Sequence, residues 1–257
     1  TFEFHPGLAN AVGVHEHDHA LEDLSAASIA RFCADLDVVS RELRTLGPLP
    51  AEDEVEREIF QARIDAFLFD YRRLVPWKRD PYSYAEVLSS QLNTILIFEY
   101  ASKEERLASI IAKERLIPGF LVEARRNLDR PAPILVEYGL RGVAGAISLV
   151  RRDLPRAFGD VSSPALRADL VAATESAAAA LDGFAGWLRS AEPNPDPGSF
   201  ALGRDGYSGW LAAGERTPDS LESLERWALA EIEETRTRLL AETARIDRTA
   251  EPSDVVK

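Results

Sequence analysis

The chain has 257 residues, 46% apolar and 28% charged, with a formal net charge of −13. Such an acidic surface repels the phosphates of nucleic acid and the headgroups of anionic membranes, and no apolar run approaches the roughly 20 residues of a membrane span. Cys33 is the single cysteine, which excludes an internal disulfide and a cysteine metal cluster.

The apolar spacing predicts an all-α chain, a multi-helix bundle of roughly eight to ten helices with no significant sheet. His5 to Val14 reads as a short helix. Ser25 reads as an N-cap, and Ile29, Phe32, Cys33, Leu36, Val39 and Leu43 then mark an amphipathic helix ending near Gly47-Pro48. The next spans about Glu52 to Leu74, with Val55, Ile59, Phe60, Ile64, Phe67, Leu68, Tyr71 and Leu74 predicted inward. Its first turn is acidic, as the helix dipole favours. Pro76 to Tyr84 reads as a loop rich in aromatics. Helices are predicted over Ala85–Tyr100, Ser102–Leu116, Pro118–Leu128 and Ile134–Arg152. The last carries Gly139, Gly142 and Gly145, whose size permits close approach of a neighbouring helix. Ser163-Pro164 opens a long helix reaching about Ser190.

Glu192-Pro193-Asn194-Pro195-Asp196-Pro197-Gly198 is the clearest break in the chain. It suggests a helical bundle over 1–192 and a helical continuation over 199–257, with one continuous domain 1–257 as the alternative. After it, Tyr207–Ala213 is a short helix. A long one then runs from Pro218 to Asp247 with Thr217 as N-cap, and Ala250 to Lys257 read as a frayed end. The chain lacks methionine, so it is expected not to begin at its native initiator. A cytoplasmic location is expected, with an exported form left open.

Three of the four histidines fall in Gly13-Val14-His15-Glu16-His17-Asp18-His19. His15, Glu16 and His19 spell H-E-x-x-H, which on a helix puts two imidazoles on one face with a carboxylate beside them to activate water. Here the intervening residues are polar and the segment is hemmed in by Gly13, Asp23 and Ser25, so the helix has little to bury. A solvated loop is the preferred reading, with a metal site at His15, Glu16 and His19 as the weaker alternative. Glu16-x-x-His19 is half of a di-iron pattern, but no histidine follows His19 to supply the second half.

Elsewhere, Glu99 sits among apolar residues that favour a neutral carboxyl. Glu137 and Arg141 fit an i,i+4 ion pair. Asp70, Arg72 and Arg73 read as a polar helix end. Trp77, Tyr82 and Tyr84 divide between core packing and a ligand-facing wall. No glycine-rich phosphate loop and no nucleophile elbow is present.

Several fragments, in order, resemble a known family. They are His5-Pro6, Gly13-Val14-His15-Glu16-His17-Asp18, Leu21-Glu22-Asp23-Leu24-Ser25, Trp77-Lys78-Arg79-Asp80-Pro81-Tyr82, Asn127-Leu128-Asp129-Arg130-Pro131 and Phe200-Ala201-Leu202-Gly203-Arg204-Asp205-Gly206-Tyr207. Together they resemble the N-terminal part of the bacterial domain of unknown function 885 family, over nearly the whole chain. The resemblance implies a longer, all-helical, zinc metallopeptidase-like protein whose zinc helix lies in its second half. Nothing here matches that helix, so no catalytic residue and no zinc ligand carries over. It implies that His15, Asp18 and Tyr82 face the missing half as substrate-cleft candidates, to which the aromatic-loop reading adds Tyr84. The expected function is therefore the N-terminal wall of a zinc-dependent hydrolase, inactive alone, whose partners are its own C-terminal catalytic half and a peptide-like substrate. A stand-alone helical binding module is the alternative.

Overall fold

The computed structural model describes residues 2–247, and the reading of Ala250 to Lys257 lies outside them. The described residues are all-α, with eight helices of eight or more residues and three shorter ones, and no strand. They are α1 (Pro6–Ala11), α2 (Ala26–Thr45), α3 (Ala51–Phe69), α4 (Pro76–Arg79), α5 (Pro81–Ile97) and α6 (Lys103–Asn127). Then come α7 (Pro133–Ser148), α8 (Leu154–Ala157), α9 (Pro164–Ser190), α10 (Gly203–Trp210) and α11 (Leu221–Ile246). The chain forms two compact units that divide between Gly203 and Arg204.

In the first unit α6 lies between α5 and α9, and α5 packs on α7. Leu107, Ile110, Ile117 and Ala124 of α6 are fully buried, as are Leu88, Leu92 and Ile95 of α5 and Ala177, Leu181 and Phe184 of α9. Sequence reading divides α6 at Pro118, but the structure carries one helix through it. Proline removes one backbone donor and crowds the carbonyl four residues back, a cost of about 3 kcal/mol. The buried stripe runs on from Ile117 to Phe120, Leu121 and Ala124, and at roughly 1.5–3 kcal/mol per large buried side chain it outweighs that loss.

Caps fix the helix starts. Ser25 accepts from the Ser28 amide, and Ser102 and Glu105 form a reciprocal capping box at α6. Asp80 accepts from the Tyr82 amide at 2.9 Å and starts α5 at Pro81, so the predicted loop 76–84 holds α4 and the first turn of α5 instead. The end of α5 is closed by a side chain. Arg106 of α6 is buried and its Nη1 donates to the carbonyls of Ile95 at 3.1 Å and Leu96 at 3.3 Å, with Phe98 at the limit of reach.

The α5–α7 contact explains two of the three spaced glycines. A β-carbon on Gly139 would lie 2.6 Å from Cβ of Pro81, and one on Gly142 would lie 2.8 Å from the Tyr82 ring. Gly145 has nothing within 4 Å and takes no part. Helix α7 continues through a wider turn, Leu149–Asp153, into α8, and Pro133–Ala157 reaches the length and composition of a membrane span. Sequence reading joins α7 to the wider turn but stops at Arg152, short of α8. In the structure Val143, Ala146, Val150 and Leu154 are buried, and the helix packs on α5 and α9.

Helix α3 departs from the predicted inward set. Ile64 is buried and Phe67, Leu68 and Tyr71 pack partly on the core, but Val55, Ile59 and Phe60 are about 60% exposed. Val39 of α2, also predicted inward, is exposed. Periodicity names an apolar face; it does not say whether another element covers it.

In the second unit α11 begins at Leu221, three residues later than predicted. Ser220, not Thr217, is its N-cap and accepts from the Ser223 amide. Leu229, Ile232, Leu239, Leu240 and Ile246 share one side of α11 by helical spacing, and all are exposed.

Candidate functional site

The histidine-rich segment is a turn, not a helix. This corrects the His15, Glu16, His19 alternative, because a spacing of four places two imidazoles on one face only in a helix. His19 and Glu16 are exposed. Among the described residues no group of three or more His, Cys, Asp or Glu side chains is placed to hold a metal ion. The residues present therefore do not fit the zinc that the family resemblance implies for the longer protein.

The turn organises a different constellation. Asp18 is buried, and each of its carboxylate oxygens has a partner. Oδ1 accepts from Asn10 Nδ2 at 2.5 Å, and Oδ2 lies 3.0 Å from His15 Nδ1. Asn10 comes from α1, so the short helix and the turn are joined through one carboxylate. The His15 ring lies flat on Tyr100, with centroids 3.8 Å apart and planes 8° from parallel. Tyr100 belongs to the connection between α5 and α6. Its hydroxyl is buried beside Asp18 and Asn10 without a hydrogen bond of ordinary geometry. Burial first, and the Asp18 carboxylate second, push the phenol above its ordinary range.

Lys113 of α6 fastens the next residues. It is buried, and Nζ donates to the Ala20 carbonyl and to Gln91 Oε1 of α5 at 2.8 Å. Burial lowers its pKa to about 8, against the pull of Asp18 and Glu22. His5 Nδ1 lies 3.2 Å from Glu22 Oε1, and its ring stacks on Phe67. Buried polar atoms nearly always find a partner. Among the described residues five do not: His5 Nε2, Asn10 Oδ1, Gln91 Nε2, Tyr100 Oη and Arg106 Nε. Four of them belong to this N-terminal polar layer.

Of the sequence-predicted candidates, His15 and Asp18 come together. Tyr82 is partly exposed on α5, against Gly142. Tyr84 has no surface open to a ligand: it is fully buried, and its hydroxyl donates to the Trp77 carbonyl at 2.5 Å and accepts from Asn127 Nδ2 at 3.1 Å. Trp77 is buried as well and donates to the Tyr71 carbonyl. Glu99, expected in apolar surroundings, is exposed 4.0 Å from Arg106. Glu137 and Arg141 form the expected surface pair at 2.5 Å. Arg72 makes a two-pronged pair with Asp37, at 2.5 and 3.1 Å, and caps the Cys33 carbonyl.

Asn10, Gln91, Tyr100 and Lys113 escaped the sequence reading, as did Glu114. The signal was present in the helices. Lys113 and Glu114 stand between Ile111 and Ile117, and Gln91 adjoins Leu92, at positions where the apolar stripe calls for a hydrophobic residue. Glu114 is fully buried, and Thr174 Oγ1 donates to it at 3.1 Å. Burial raises its pKa to about 8.

Fold and site together define an all-helical scaffold with a carboxylate-held histidine in its N-terminal layer. The chain belongs to the family described as "Bacterial protein of unknown function (DUF885)", whose model matches residues 6–257. It is similar to a solved structure described as "a putative lipoprotein of unknown function from Shewanella oneidensis", with a TM-score of 0.78 and 22% identity. The similarity covers 95% of this chain and 45% of that one, so the chain spans less than half the length of this neighbour. No curated protein matches it.

Proposed function

We propose that this chain is the helical wall of a longer, zinc-dependent metallopeptidase-like hydrolase, inactive alone. The remainder of the polypeptide brings the metal and the catalytic centre, and a peptide-like substrate lies against this wall. The observation that carries the reading is the apolar side of α11, where Leu229, Ile232, Leu239, Leu240 and Ile246 stay exposed. Large apolar side chains left exposed along one side of a helix are what remains when another polypeptide is meant to cover them. The 45% coverage of the structural neighbour supports further polypeptide as that cover. The hydrolase class rests on the family resemblance. The neighbour's description as a lipoprotein supports an exported location over the cytoplasmic one expected from sequence.

The test compares this chain with the full-length polypeptide by hydrogen exchange and by hydrolysis of a peptide library. The reading expects slower exchange in α11 within the full polypeptide, and peptide cleavage only there. Equal exchange in both forms, or peptide cleavage by this chain alone, overturns it. The same apolar side suits a stand-alone binding module, which is the outcome if the reading frame stops at Lys257.

A further inference from the structure

We infer that His15 is a fixed proton acceptor that offers its Nε2 lone pair to an O–H or N–H donor on a bound ligand. Three observations converge on it. Asp18 Oδ2, 3.0 Å from Nδ1 and buried, accepts a hydrogen bond from Nδ1–H and so selects the tautomer with Nε2 bare. The Tyr100 ring covers one face of the imidazole and fixes its plane. The His15 side chain is nevertheless 36% exposed, against 7% for Asp18. With Nδ1 turned inward and one face covered, what reaches the surface is the other face and the edge that carries Nε2. No protein group bonds to Nε2 among the described residues.

The supporting layer is more elaborate than a surface turn needs. Asp18 is itself held by Asn10 at 2.5 Å, and Lys113 pins the adjoining Ala20 carbonyl to α5 and α6. Such contacts also steady the turn, but they leave one ring nitrogen of His15 without a protein partner among the described residues. A proton acceptor gains from them, because its tautomer and direction then arrive preset. His17 and His19 have none of these supports and serve as internal comparisons. The donor's identity, the peptide-like substrate of the proposed function, rests on that reading. The state of the imidazole does not.

The experiment uses the 257-residue chain with its histidine rings labelled with nitrogen-15. Ring nitrogen shifts report the tautomer, and diethyl pyrocarbonate with peptide mapping reports the reactivity of each histidine. In that probe reaction the imidazole nitrogen attacks a carbonyl carbon, and ethyl carbonate leaves and breaks down to ethanol and carbon dioxide. The expected result is the Nδ1–H tautomer at His15 and modification several-fold faster than at His19. Asp18→Ala should move His15 towards the Nε2–H form, because Asn10 Nδ2, 3.4 Å from Nδ1, is then the remaining donor. An Nε2–H tautomer in the unsubstituted chain, or modification no faster than at His19, overturns the inference. The unsubstituted measurements decide even if Asp18→Ala does not fold. Failure of the proposed function would show separately, in the exchange of α11.

Discussion

Replacing Glu114 with Gln tests how the core treats a buried acid. The carboxyl titrates at about 8 in the folded chain and near 4.5 when exposed. Below pH 4.5 it is protonated in both states and contributes nothing to the pH dependence. As pH rises from there to about 8, the unfolded chain releases the proton and the folded chain keeps it. The unfolded state then binds fewer protons, and stability falls with a slope of about 1.4 kcal/mol per pH unit. Over the whole window the loss reaches roughly 5 kcal/mol, a large part of the 5–15 kcal/mol of an ordinary domain. Gln has nearly the same shape, still accepts from Thr174 and does not ionise. Glu114→Gln should therefore match the parent at pH 4.5 and exceed it by roughly 3 kcal/mol at pH 7. Urea titrations followed by circular dichroism at half-unit pH steps measure the difference. If the two stability curves run parallel from pH 4.5 to 8, the carboxyl is not held neutral and the reasoning fails.

Lys113 acts with the opposite sign in a higher window. Its folded pKa is lowered to about 8 from 10.5, so stability recovers as pH rises from 8 to 10.5, and a Lys113→Met variant should lose that rise in the same titrations. Gly145→Ala should stabilise by about 1 kcal/mol through helix propensity alone. Gly139→Ala sets a methyl 2.6 Å from Cβ of Pro81; overpacking of about 1–3 kcal/mol opposes the same gain, and thermal melts should rank it below Gly145→Ala. Ile110→Ala empties a fully buried site in α6 and should cost about 2–5 kcal/mol. Dialysis against zinc followed by metal analysis should show no difference between the chain and its His19→Ala variant. Loss of one zinc per chain in the variant would restore the helical metal reading.

The helices were largely legible in the sequence because buried stripes and capping residues are local signals. Ser25, Ser163 and the break after Glu192 are examples. Pro118 misled because a local cost was set against burial that only the assembled bundle supplies. Val55, Ile59 and Phe60 misled for a related reason: the pattern shows that a face is apolar, and its cover is a property of other chain segments. At the candidate site, sequence spacing offers His15 with His19 only as the weaker alternative to a loop, and it is the family resemblance that names His15 together with Asp18. The structure brings His15 and Asp18 into hydrogen-bond contact through a turn, whereas residues four apart share a face only in a helix. Asn10, Gln91, Tyr100 and Lys113 reach the site from four separate segments, and no spacing rule links them.

Arg106 extends the reach of that arrangement. By gripping the final carbonyls of α5 it governs the short bridge on which Tyr100 rides, and Tyr100 is the slab beneath the imidazole. The guanidinium meets neither His15 nor Asp18, yet its loss would let the slab drift and the ring with it. An arginine buried between two helices thus supports, at one remove, a ring that lies at the surface.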